Sequence, residues 1–88
     1  MRFLGRIMRA GKILREAVVT DDGPDTRTHK VFGALGEVCR TCDLSVPVWL
    51  DNNIKDFQKY RKTRFNQDNF VGEEIPFDHL EFQVLDED

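Results

Sequence analysis

The stretch KVFGALGEVCRTCDL, residues 30–44, decides how this chain folds. Its apolar residues Val31, Leu35, Val38 and Cys42 recur at i, i+4, i+7 and i+11, the spacing of one helical face. Phe32 and Cys39 lie on one shoulder of that band and Ala34 on the other, while Lys30, Gly33, Glu37 and Arg40 point away. The spacing predicts a long helix over residues 28–44. A helix so one-sided is stable only when its face is covered, and the remaining residues must supply the cover.

On the N-terminal side, Asp21-Asp22-Gly23-Pro24-Asp25 is a break, because Asp-Gly offers a positive-φ position and Pro24 stops strand pairing. Thr26 or Thr28 can cap the next helix, with Asp25 near its positive end. Before the break, RFLGRIMR alternates imperfectly, with Phe3, Gly5 and Ile7 on one side and Leu4, Arg6 and Met8 on the other. KILREAVVT, residues 12–20, is rich in β-branched residues and reads as the return arm of a hairpin over residues 2–20. The rival is an amphipathic basic helix from Leu4 to Ala17. Gly5 and Gly11 would each cost it about 1 kcal/mol, and Gly11 sits where a turn needs it. The hairpin is the expectation.

On the C-terminal side, Pro47 biases Val46 away from helical dihedrals, so residues 45–50 cross the core as an extended lid. Trp49, the only tryptophan, is either a large part of the core or, if exposed, the best anchor for a partner. DNNIKDFQKYRK predicts a second, shorter helix over residues 52–62, capped by Asp51 or Asn53. Residues 63–77 read as an irregular loop pinned by Phe65 and Phe70. A last strand over residues 78–86 alternates Leu80, Phe82 and Val84 inward against His79, Glu81 and Gln83 outward. Asp86-Glu87-Asp88 is expected to fray.

The assembly these elements imply is a single small α+β domain. Its core is a three-stranded, mainly antiparallel sheet in the order β-β-α-α-β, with two helices packed on one face. Eighty-eight residues suit one domain. At 40% apolar and 33% charged residues, the composition is that of a folded protein rather than a disordered one. The N-terminal apolar residues are interrupted by Arg6, Arg9, Lys12 and Arg15, so neither a secretory signal nor a membrane span is predicted, and a cytoplasmic location is expected.

The net charge of -3 conceals segregation. Residues 1–20 hold five basic groups against one acidic, and residues 71–88 hold seven acidic groups and no Lys or Arg. Two oppositely charged strands lying side by side would account for this without any ligand.

Candidate chemistry is sparse. Cys39-Arg40-Thr41-Cys42 is a CxxC, but a redox pair belongs at a helix N-terminus, where the dipole lowers a thiol pKa, and this one lies near the C-terminus. Zinc would need four ligands, and His29 and His79 are far apart in sequence. Both cysteines are therefore read as core residues. No cofactor, metal site or catalytic residue is assigned. The glycines lack nucleotide-binding spacing, and Ser45 has no nucleophile motif around it.

The most distinctive surface is Lys55, Lys59, Tyr60, Arg61, Lys62 and Arg64, with Phe65 next to it and Trp49 at its border. The expected function is that of a non-enzymatic protein-interaction or regulatory accessory domain. It would dock this basic, aromatic surface on an acidic protein partner or associate with itself through exposed sheet residues. The first alternative is nucleic-acid binding through the same residues, with phosphates on the cations and a base on the aromatics. A small thiol or metal-dependent enzyme is the second.

Overall fold

The computed structural model describes residues 1–88. Strand β1 (Arg2–Arg9) turns back into β2 (Lys12–Thr20). Helix α1 (Arg27–Thr41) and helix α2 (Asp51–Tyr60) come next, then β3 (Lys62–Phe65), a single 3-10 turn (Gln67–Asn69) and β4 (His79–Asp86). The sheet has four strands, not three, in the order β2-β1-β4-β3, and every neighbouring pair is antiparallel.

The hairpin forms because Ala10 and Gly11 both adopt positive φ, 51° and 76°. That is the primed turn whose twist matches the flanking strands. Ala10 is an unusual residue for it, and its N–H is held by the Asp78 carboxylate at 2.8 Å.

The extra strand is the first correction to the expected architecture. Helix α2 stops at Tyr60 because Arg61 enters the left-handed region at φ 58°, with its N–H still bonded to the Phe57 carbonyl at 2.9 Å. The chain reverses on that one residue, and Lys62–Phe65 pairs with β4, Thr63 opposite Phe82 and Phe65 opposite Leu80. Residues assigned to the end of a helix and the start of a loop are thus a strand. Four residues carry too little periodicity to declare themselves, and the free edge of β4 supplies the hydrogen bonds that create them.

Register sets what each side of the sheet carries. Phe3, Ile7, Ala17, Phe65, Leu80 and Phe82 face one side and share a core with Val31, Leu35 and Val38 of α1 and Phe57 of α2. Both helices therefore cover the same face. Gly5 lies directly under α1: a Cβ placed there would fall 2.3 Å from a Val38 methyl carbon. Glycine at this position on a central strand lets the helix settle onto the sheet.

Helix α1 begins one residue earlier than expected, with Thr26 accepting from the His29 N–H at 3.2 Å. It ends at Thr41 rather than Leu44, because Asp43 turns left-handed and Leu44 N–H bonds back to the Cys39 carbonyl at 2.7 Å. Lys30, expected to point away, is only 3% exposed. The acidic tail covers it. Asp88 bonds to the Lys30 ammonium and to that of Met1, Glu87 grips Arg27 at 3.0 and 3.1 Å, and Asp86 pairs with Arg2. The segment expected to fray is clasped to the start of α1 and to β1.

No helix is long and apolar enough to cross a membrane.

Candidate functional site

The residues singled out from the sequence fall into three environments. Lys55, Lys59 and Tyr60 are exposed on α2, where the Lys59 ammonium lies 5.2 Å from the centre of the Tyr60 ring. Lys62 and Arg64 alternate onto the open face of the sheet, opposite Gln83 and Glu81, with Arg64 4.0 Å from the Glu81 carboxylate. Arg61 occupies the left-handed turn between these two groups. Phe65 is completely buried on the other face, so it offers no surface to a partner or a base. The structure keeps Lys55, Lys59 and Tyr60 on α2, sets Arg61 in the turn after it, and turns Lys62 and Arg64 onto the open sheet face.

Trp49 is half-buried at the centre of an aromatic box. Phe65, Phe57, Phe32 and Phe82 surround it at centroid distances of 5.0, 5.4, 5.8 and 6.5 Å, with ring planes between 76° and 90° to its own. Edge-to-face pairs of this kind set the positive edge of one ring against the negative face of another, worth about 0.5–1.5 kcal/mol each. The indole N–H is buried and has no oxygen or nitrogen acceptor.

The box opens at one corner. Phe32, on the shoulder of the helical band, is 51% exposed, and Ile54 of α2 is 44% exposed. With Val31, Trp49, Phe57 and the stem of Arg27 they line a groove of about 260 Å³ between α1 and α2. The Arg27 guanidinium sits 5.8 Å from the Phe57 ring centre while it holds Glu87. Sequence reading missed Phe32 because a residue at the margin of an apolar band can be covered or bare, depending on how closely the next helix approaches. Ile54 stands on the groove side of α2.

Polar groups fix the groove's far wall. Asn53 and Asn69 are both buried and fully bonded. Asn53 Nδ2 donates to Thr63 Oγ1 and to the Arg64 carbonyl, each at 2.9 Å, and its Oδ1 accepts from Leu50 N–H at 3.0 Å. Asn69 Nδ2 donates to Asn53 Oδ1 and the Val48 carbonyl, each at 2.7 Å, while its Oδ1 accepts from Asn66 N–H at 3.0 Å. This network locks the lid, the first turn of α2 and β3 to one another, and so fixes where Trp49 and Ile54 stand.

The thiols have the opposite character. Cys39 and Cys42 are free and buried. Burial pushes the Cys39 thiol up to about 12, with Cys42 adding to the shift, and burial raises Cys42 as well, against a smaller pull from Arg15. Both are protonated at neutral pH, and a protonated thiol is a poor nucleophile and a poor ligand. Cys42 borders a second cleft of about 340 Å³ that also holds Arg15, Asp43, Glu73 and Glu74. No three His, Cys, Asp or Glu side chains gather there or elsewhere as a metal site would require.

His29 Nδ1 meets Asp25 at 2.8 Å on the surface, and that contact holds the Asp25 carboxyl below its ordinary range. His79 lies on the open sheet face, its pKa lowered chiefly by burial and then by Arg64. Nor does either glycine on the outer side of α1 meet the rest of the chain, since open space surrounds the position of a Cβ at both Gly33 and Gly36.

No family model, curated protein or solved structure matches the chain.

Proposed function

We propose that this domain is a non-enzymatic protein-interaction module, a regulatory accessory that docks an acidic partner on the basic side of α2 and the groove beside it. One observation carries the reading: Phe32 and Ile54 stand about half exposed over Trp49 and Phe57, in a groove bordered by Arg27. Lys55 and Lys59 occupy the next stripe of α2, and Arg61 lies at its end. Aromatic and aliphatic anchors in a preformed groove supply affinity, and the surrounding cations supply orientation and association rate. The partner that fits is a short amphipathic segment with one or two large apolar residues and flanking Asp or Glu.

The test is selection from displayed peptide pools against the whole domain. Acidic amphipathic sequences should be enriched over basic ones, and Phe32→Ala and Ile54→Asp should each weaken the selected peptides by about tenfold or more. Lys55→Glu with Lys59→Glu should weaken them further and reduce the dependence on salt. Equal recovery of acidic and basic pools would end this reading. The nucleic-acid alternative would replace it if a mixed DNA and RNA pool bound at low salt with an affinity falling steeply as salt rises.

A further inference from the structure

We infer that β2 is a docking edge for a second copy of this chain, joining two four-stranded sheets into one of eight about a two-fold axis near Val18. This surface is separate from the groove between the helices.

The two edges of the sheet are unequal. The β3 edge is four residues long and carries Lys62 and Arg64, features that discourage pairing with another chain. The β2 edge is nine residues long and presents Ile13, Leu14 and Val18 half exposed, with Val18 at 56%. A register shift at Leu14 interrupts the first part of this edge, and the regular stretch from Arg15 to Thr20 is the template for another strand.

The backbone indicates which groups are free. Met1 and Asp21 form a closely bonded pair, Asp21 N–H to Met1 O at 2.9 Å and the Met1 ammonium to Asp21 O at 3.0 Å. Bonding direction alternates along an antiparallel strand. Asp21, Val19 and Ala17 therefore turn their backbone groups toward β1, and Thr20, Val18 and Glu16 turn theirs outward. Pairing Val18 with Val18 of the second copy uses the outward groups of Glu16, Val18 and Thr20 in both copies, on the stretch of β2 beyond the register shift at Leu14. Glu16 then bonds across to Thr20 of the second copy, and Thr20 to Glu16.

Charge selects the direction and the register. Lys12 and Arg15 lie toward the start of β2, while Asp21 and Asp22 lie just past its end. Antiparallel self-pairing therefore brings opposite charges together, whereas parallel pairing would set like against like. In the Val18-centred register, Arg15 stands opposite Asp21 of the second copy, twice by symmetry, and both lie on the helix side of the sheet. Ala17 meets Val19 beside them, a small residue against a branched one.

Light scattering and sedimentation on the whole chain test this directly, with circular dichroism to confirm that each variant folds. The wild-type mass should rise from 10.3 kDa toward twice that value as concentration increases. Val18→Pro deletes only an outward N–H and should leave a folded monomer. Arg15→Asp and Asp21→Arg should each weaken self-association on the order of tenfold or more, because each sets two like-charged pairs in the junction. Mixed in equal amounts, those two variants regain both opposite-charge pairs and should form a dimer that neither makes alone. A wild-type chain that stays monomeric into the millimolar range overturns the proposal. So does a dimer indifferent to Val18→Pro and to the charge reversals, which would place the contact elsewhere.

Discussion

Helix α1 meets the sheet through Val31, Leu35 and Val38, with a Val38 methyl over the bare Cα of Gly5, whereas α2 buries only Phe57 and Asn53. The first helix is held by shape. The second is held by direction, since the amides of Asn53 and Asn69 satisfy the lid, β3 and each other. Apolar packing tolerates small shifts, and a hydrogen-bond network does not. Of the two helices that border the proposed binding groove, α2 is therefore the one whose position is the more tightly specified. The comparison also separates two kinds of glycine: Gly5, where there is no room for a side chain, and Gly33 and Gly36, where there is.

The sharpest way to break the contrast is at Asn53. Asn53→Ala should cost about 3 kcal/mol, since it strands half of the Asn69 amide and the Thr63 hydroxyl in a buried site and the Leu50 N–H and Arg64 carbonyl in a part-buried one. Asn53→Asp keeps the shape but sets a carboxylate oxygen against the Arg64 carbonyl, and it should be no milder. Urea midpoints measure both. A loss below about 1 kcal/mol for either would mean that α2 is held by apolar contact after all.

Gly5→Ala comes next, at about 1–3 kcal/mol, because the added methyl must displace a Val38 side chain that has no free volume. Combined with Val38→Ala, the loss should be clearly smaller than the sum of the two single losses, the mark of a direct contact. Additive losses would show that the helix does not rest on this glycine.

Gly33→Ala should stabilise the domain by up to about 1 kcal/mol, visible as a rise in melting temperature. The outer side of α1 has room for the methyl. If the stabilised variant also loses a partner selected from the peptide pools, the bare surface is part of that partner's footprint.

The smallest expected effect concerns the acidic tail. Arg2 lowers the pKa of Asp86, Arg27 that of Glu87, and Lys30 and the Met1 ammonium that of Asp88. Their unfolded values lie near 4. Depressed folded values mean that this stabilisation is complete above roughly pH 5 and is lost as pH falls through the folded values. A Glu87→Gln, Asp88→Asn variant should therefore lose less stability than the wild type between pH 6 and pH 3. Parallel pH profiles would show that the clasp contributes nothing to folding.

Much of this architecture is legible in residue patterns. The α1 band, the Ala10-Gly11 turn, a threonine cap at Thr26 or Thr28 and the alternation of β4 are each carried by residues close together in the chain. So is the grouping of Phe3, Gly5 and Ile7 on one side of β1, although which side faces the core was not read from the sequence. Less of the candidate site could be read. Lys55, Lys59 and Tyr60 are exposed on α2, but Phe65 is buried, Lys62 and Arg64 turn to the open sheet face, and Phe32 was not anticipated as part of a groove. The basic run from Lys55 to Arg64 looks continuous in sequence. Arg61 divides it, because a left-handed residue reverses the chain and β4 captures the next four residues as a strand.

Sequence by itself determined an α+β domain, a basic hairpin beside an acidic strand, and one strongly one-sided helix, KVFGALGEVCRTCDL. Local periodicity and turn chemistry act over a few residues, and those features need nothing more. The fourth strand, the clasped tail, the corner left open at Phe32 and the lock between Asn53 and Asn69 were decided by tertiary structure. Each depends on groups distant in the chain finding a hydrogen-bond partner, a counter-charge or a covering surface. Asn69 reaches Val48 and Asn53, and Asp88 reaches Lys30. No spacing within a short window encodes such a meeting.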